Sequence, residues 1–241
     1  GKVGFLRRKS HQIVPVRDCW LAEEDVADRI SELTSTGWDR IDIRRSLDGA
    51  VRITRGEEAP DLGFSQVNTL QNQKMREILL EWSHSVDWNH LIDLYAGAGN
   101  LTLPILLDRL KSNPDAKATA VEGNALAVDE GQKSAKGLPI EFFCSSVEDF
   151  VLGLEQLPQK SLVVIDPPRQ GCDKNVIEKL ARWAPRDLFY VSCDVMTWGR
   201  DVQRLLALNP AYSVRVIQPL DMFPQTSHFE ILSYLTLRSD A

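Results

Sequence analysis

Three stretches carry reactive side chains at the margin of an apolar run: VVIDPPRQG at 163–171, FYVSCD at 189–194 and DMFPQTSHFE at 221–230. Cys193 follows the run FYVS and stands between Ser192 and Asp194. A cysteine thiolate is a strong nucleophile, but a lone free cysteine is more often a core residue. Its position past the apolar run favours display over burial. Glu230 lies between Phe229 and Ile231 in a segment that reads as a closing strand. A carboxylate among apolar neighbours has a raised pKa, which suits a general base; an edge-strand glutamate facing water is the competing reading. Asp166 ends VVID, and Pro167 and Pro168 after it remove backbone donors and stiffen the loop.

The elements that must bring these groups together follow a clear rhythm. From residue 68 onward a helix is followed by five short apolar runs (LIDLY, KATAV, IEFFC, SLVVI, LFYVS), each followed by a stretch of helical periodicity. YSVRVIQPL and HFEILSYLTL close the chain as two strands with no helix between them. Strands alternating with helices predict a parallel sheet covered on both faces. Two strands joined by a short loop predict antiparallel neighbours. The expected fold class is α/β, a methyltransferase-type Rossmann arrangement: a mostly parallel seven-stranded sheet with a C-terminal antiparallel hairpin. Residues 1–63 read as a separate small α+β unit, with a helix over DVADRISELTSTG and strands on either side of the turn LDG; residues 64–241 form the larger domain.

In an open α/β sheet, ligands bind at the carboxyl ends of the strands. The first strand of the large domain ends in DLYAGAGN, where Gly97 and Gly99 allow a tight turn and close backbone approach to a ligand. A glycine turn that merely starts a helix is the competing reading. The dinucleotide fingerprint wants a third glycine where Thr102 stands, which disfavours a nicotinamide cofactor. Glu122 ends the second strand, 23 residues past Gly99, where an acid can accept ribose hydroxyls. Ser146 follows the third strand and reads equally as a neighbour of an adenine ring and as a helix N-cap.

The composition is that of an ordinary soluble globular chain: 241 residues, 43% hydrophobic and 26% charged. Four scattered cysteines (Cys19, Cys144, Cys172, Cys193) without C-x-x-C spacing argue for a reducing compartment and against a disulfide framework or a zinc site. No membrane-length apolar run or secretory signal is visible, so the expected location is the cytoplasm. The first residue is Gly1, which suggests a processed or truncated chain. The net charge of −6 does not advertise a nucleic-acid binder, although residues 1–17 carry five basic residues and no acid.

Taken in order, VGFLRRKSHQIV, DCWL, GFSQVN, LIDLYAGAGNLTLPI, VEGNALAVDEGQKSA, VVIDPPRQG, YVSCD and DMFPQTSHFE resemble the RNA uracil-5 methyltransferase family, with the last three the most specific. The resemblance covers nearly the whole chain. It implies S-adenosyl-L-methionine as cofactor and methylation of uracil C5 in transfer or ribosomal RNA. Carried over position by position, Gln66, Tyr95, Gly97, Gly99, Asn100, Glu122 and Ser146 would hold the methyl donor. Asp166 would lie between donor and uracil, Cys193 would be the nucleophile, and Glu230 the base. Arg169 stands where amine methyltransferases place an aromatic residue, which disfavours amine methylation, and Pro-Pro stands where RNA cytosine-5 enzymes carry Pro-Cys, which favours uracil.

The chain also departs from the family pattern. Cys193 is usually followed by Asn-Pro, and here Asp194 is expected to raise the thiol's pKa. Ser146 replaces a longer Asn or Asp, and the family's N-terminal TRAM barrel is not expected within these residues. Cys19 matches one of four iron–sulfur ligands found in some members; the others are missing, so neither a cluster nor another metal is expected. The expected partner is RNA, with no membrane and a monomer favoured. An RNA-binding relative with weakened or lost catalysis, and a nicotinamide-dependent oxidoreductase, are the alternatives.

Overall fold

In a computed structural model, the described residues are 4–7, 10–19, 22, 24–33, 41–45, 51–55, 68–222, 224–226 and 228–238. The chain divides into two compact units, Gly1–Asp61 and Leu62–Ala241. The first contains the antiparallel pair β1 (Gly4–Leu6) and β2 (Ile13–Pro15), helix α1 (Glu24–Glu32), and the antiparallel pair β3 (Ile41–Arg45) and β4 (Val51–Arg55). Strand β1 was not expected. It lies within a basic segment whose polar residues hide a three-residue strand.

The second unit opens with α2 (Thr69–His84), capped by Asn68, whose side chain accepts from the Gln71 N–H. The alternation then runs β5 (His90–Leu94), α3 (Thr102–Ser112), β6 (Lys117–Glu122), α4 (Ala125–Ser134), β7 (Ile140–Cys144), α5 (Val147–Gly153), β8 (Ser161–Ile165), α6 (Lys174–Trp183), β9 (Asp187–Ser192) and α7 (Val195–Leu208). The hairpin β10 (Tyr212–Leu220) and β11 (Glu230–Leu237) closes it. The seven strands lie in the order β10-β11-β9-β8-β5-β6-β7; β5 to β9 run parallel, and β11 is antiparallel to both its neighbours. This is the expected fold class.

The central strands β8 and β9 are buried on every residue and mostly apolar because both sheet faces are covered. Successive side chains alternate between the faces. Leu91, Leu162, Val164, Phe189, Val191 and Leu232 join Met75 and Leu79 of α2 and Ile105 and Leu106 of α3. Ile92, Leu94, Val163, Ile165, Leu188 and Tyr190 join residues of α5, α6 and α7, among them Val151, Leu180 and Leu205. On the first face Trp82, Phe189 and Tyr234 pack together, with the Phe189 and Tyr234 centroids 5.0 Å apart and nearly perpendicular, an arrangement that aligns ring edge with ring face. With both faces filled, the carboxyl edge of the sheet is left for polar groups.

Candidate active site

Cys193 and Glu230 meet through strand register. β9 ends at the carboxyl edge, and antiparallel β11 starts there. The last ladder pair between them is Ile231 with Ser192. Continued by one step, this register brings Glu230 opposite Cys193, and the Glu230 charge acts on the thiol. Asp166 leaves β8 at the same edge, its N–H continuing the ladder to the Leu94 carbonyl at 3.2 Å. The loop after it carries Arg169.

These four groups shift one another's proton affinities. Glu230 is 2% exposed, and its carboxyl is pushed up to about 7, by burial first, then by the Asp166 carboxylate, with Arg169 opposing. Burial pushes Asp166 up to about 7 as well. The partly buried Cys193 thiol is raised by burial, then by Glu230; Arg169 lowers it and Asp166 raises it further. The edge therefore gathers one thiol, two carboxyls poised near neutrality and one fixed cation. A base with a pKa near the working pH combines the right protonation state with useful driving force.

Asp194 acts differently from the expectation. Its Oδ1 accepts from the Met196 N–H at 2.9 Å and the Thr197 N–H at 3.0 Å, capping α7. Those bonds, led by the one from Thr197, hold the Asp194 carboxyl below its ordinary value. The charges acting on the thiol are those of Glu230, Arg169 and Asp166. Asp194 is thus a cap, and the thiol is raised by its burial and its cross-strand partner.

The glycine loop after β5 is drawn tight. Gly97 (φ 55°) and Gly99 (φ 87°) take left-handed conformations. A Cβ on Gly97 would meet nothing within 4 Å, so open space adjoins the loop; one on Gly99 would lie 3.0 Å from Leu103 Cγ and 3.3 Å from Phe142 Cζ. Glu122 grips the loop: its Oε2 accepts from the Gly97 N–H at 2.9 Å and its Oε1 from the Asn124 N–H at 2.8 Å. Asn100 exchanges two hydrogen bonds with Asn72, at 2.9 and 3.1 Å, tying the loop to α2. Tyr95 sits at φ 68°, and its hydroxyl donates to Glu148 Oε1 at 3.3 Å, towards α5. Ser146 caps α5: its Oγ accepts from the Asp149 N–H at 3.0 Å and donates to Asp149 Oδ2 at 2.7 Å. The N-cap reading of Ser146 therefore accounts for both bonds. Gln66 lies outside the described residues.

Sequence reasoning passed over two groups. Asp93, buried inside LIDL, accepts from Thr102 Oγ1 at 2.5 Å, while its Oδ1 is buried with no partner. Burial pushes this carboxyl up to about 7 against the Thr102 bond. The available signal was an acid in an apolar strand just before the glycines, with Thr102 at the missing third-glycine position. The second is Asp201, 0% exposed, whose Oδ2 accepts from the Tyr190 hydroxyl and the Cys172 N–H, both at 2.8 Å. Its Oδ1 accepts from Arg200 Nε at 2.8 Å, and Arg200 donates onward to the Gln170 carbonyl at 2.9 Å. Thr197 Oγ1 donates to the Arg169 carbonyl at 3.2 Å. Helix α7 thus holds the loop that bears Arg169.

Among the described residues no His/Cys/Asp/Glu cluster has metal-binding geometry, and no helix is long and apolar enough to cross a membrane. The model of the tRNA (Uracil-5-)-methyltransferase family matches residues 151–238, which include Asp166, Cys193 and Glu230. An uncharacterised RNA methyltransferase of Bdellovibrio bacteriovorus is 32% identical over 99% of this chain and 63% of its own length. The 23S rRNA (uracil(747)-C(5))-methyltransferase RlmC of Actinobacillus succinogenes is 32% identical over 73% of this chain and 45% of its own. The chain therefore spans about half to two thirds of these relatives. In fold it is similar to the crystal structure of Pyrococcus abyssi tRNA (uracil-54, C5)-methyltransferase in complex with S-adenosyl-L-homocysteine, with a TM-score of 0.60 and 24% identity over 81% of this chain and 44% of that one. The chain has the class I methyltransferase fold and belongs to the RNA uracil-5 methyltransferase family.

Proposed function

We propose that the chain is the catalytic part of an enzyme that methylates uracil C5 in RNA with S-adenosyl-L-methionine, through a covalent bond between Cys193 and C6. The observation that carries this reading is the register that sets Cys193 beside Glu230 at the ligand edge, with Asp166 and Arg169 acting on both. Uracil C5 is a poor nucleophile. Addition of the Cys193 thiolate to C6 makes an enolate whose negative charge reaches C5. Once C5 carries the methyl group, Glu230 takes the C5 proton and the thiolate leaves as the C5–C6 double bond returns. Arg169 offsets the negative charge that these steps gather. A uridine in folded RNA must leave its stack to reach the edge.

The edge also suits the methyl donor. S-adenosyl-L-methionine, when bound, supplies an electrophilic methyl group. Open space beside Gly97 admits a ligand against the backbone. Asp93 Oδ1 is buried without a partner, and Glu122 has lone pairs left for hydroxyls. Asn100 and Tyr95 hold the loop's shape from either side, and Gln66 is assigned to the donor by resemblance alone. Residues 64–241 are the catalytic domain on this reading and 1–63 part of a central domain. The partner is RNA, the location cytoplasmic, and the monomer the working form.

RNA containing 5-fluorouridine tests the mechanism. Fluorine does not leave C5 as a proton does, so an adduct stable to denaturation should form with the wild-type chain and not with Cys193→Ala. The raised thiol favours one other reading, a relative that binds RNA with weakened catalysis. Binding of that RNA with neither adduct nor methyl transfer would select it and refute the catalytic proposal.

A further inference from the structure

Beside the loop that bears Arg169 lies a cleft of about 490 Å³, and the residues lining it include Tyr95, Glu148, Gln170, Lys174, Arg200 and Arg204. Its three cations are placed against local helix preference. Lys174 opens α6, where the helix dipole favours an acid, and no acid stands in that first turn. Arg200 and Arg204 are one turn apart on α7, where like charges repel. Arg200 is fixed by Asp201 and the Gln170 carbonyl, yet its side chain stays 48% exposed. Among the described residues Lys174 and Arg204 have no carboxylate within 4.0 Å. Of the two acids that line the cleft, Glu148 accepts from Tyr95 and Asp173 caps α6 through the Asn175 N–H, and neither forms an ion pair with a cation of the cleft. Two cations without an ion pair thus line the cleft beside a third that is held rigid.

We propose that this cleft binds backbone phosphates of the RNA substrate next to the target uridine. The proposal rests on the RNA methyltransferase reading above and adds a docking surface to it. Arg200 links the two places: its guanidinium faces the cleft and also holds the Gln170 and Cys172 carbonyls, a few residues from Asp166. A phosphate seated there meets a preset cation on the segment that leads to the reaction edge. Lys174 and Arg204 then supply two mobile charges, suited to a backbone that is positioned and not read for sequence.

The test is fluorescence anisotropy of a labelled stem–loop RNA with a uridine-containing loop, measured from 50 to 200 mM salt with the full chain. The variant is Lys174→Gln/Arg204→Gln. The control is Lys117→Gln/Lys136→Gln, which removes two charges near the opposite edge of the sheet. Each single-strand phosphate contact contributes about 0.7 to the slope of log Kd against log salt, so loss of two should lower it by about 1.4. Over this fourfold salt range, that is a change of about sevenfold in how much affinity the salt removes. S-adenosyl-L-homocysteine affinity and melting temperature should match the wild type, since both residues are solvent-facing. A variant slope equal to those of wild type and control would overturn the cleft while leaving the methyltransferase reading intact. Wild-type chain that binds no RNA at 50 mM salt would overturn both.

Discussion

Replacing Glu230 by Gln tests the pairing at the centre of the site, because it keeps the side chain's shape and removes its charge. Directly opposed residues of an antiparallel pair have Cβ atoms about 5 Å apart. Two unit charges at that distance interact by about 3 kcal/mol at an effective dielectric constant near 20, equivalent to about two pKa units. Cys193 is partly exposed, so solvent screening brings the expected effect to about one unit. The sign is set by the order of titration. Glu230 ionises at about 7 and the thiol above its ordinary value, so the carboxylate is charged throughout the thiol's titration. Removing that charge should lower the thiol's pKa. The assay is the rate of alkylation by iodoacetamide between pH 6 and 11, read at Cys193 by peptide mass spectrometry, since Cys19 and Cys144 are also accessible. The inflection should fall by about one unit in Glu230→Gln. An inflection that stays or rises would mean that the two groups are not neighbours, and the register argument would fail. The variant should also lose about two to four orders of magnitude in turnover and accumulate the methylated adduct, because proton removal is the step it lacks.

Two further outcomes follow from the same edge. Asp194→Ala should cost about 1 kcal/mol through loss of the α7 cap, a fall of about 2–4 °C in melting temperature for a domain of this size, without moving the alkylation inflection of Cys193; a shift of that inflection would restore a direct electrostatic role to Asp194. Stability should also fall as pH rises from 5.5 to 7.5. Carboxyls raised to about 7 in the fold (Asp93, Asp166, Glu230) bind more protons folded than unfolded below that pH, so their contribution is lost as pH rises through 7. Each can contribute up to about 1.4 kcal/mol per pH unit in that window. Thermal melts should show Glu230→Gln with a shallower fall than wild type; equal slopes would contradict the raised carboxyl.

The fold was legible because the strand pattern was unambiguous: SLVVI, IEFFC and YSVRVIQPL are strands to the residue, the first buried throughout at the sheet centre and the other two, at its edges, marked by β-branched and aromatic residues. Helix ends were less so. α5 stops at Gly153, where Leu154 turns extended and Trp183 Nε1 donates to the Leu154 and Glu155 carbonyls. That stop depends on a tryptophan on α6, which no local pattern reveals. In the site, the positions of Asp166, Cys193 and Glu230 could be read from where strands end. The directions of polar side chains could not. Asp194 and Ser146 turn to helix N–H groups, and Asn100 to Asn72, because each found a nearer hydrogen-bond partner. Asp93 was passed over because an acid inside an apolar run reads as an exception until its unpartnered oxygen is seen.

The closing hairpin has a consequence for how the chain can change in length. β10 lies at the sheet edge with one neighbour, and it already carries an irregularity between Val214 and Val216. An added residue there alters only its pairing with β11. β11 is flanked on both sides, and one residue gained or lost between Glu230 and its pairing with β9 would turn Glu230 to the opposite face, away from Cys193. The two arms of the hairpin are therefore unequal before insertion and deletion: the outer arm and the loop from 221 to 229 are free to drift in length, while the inner arm is fixed in register by one carboxylate.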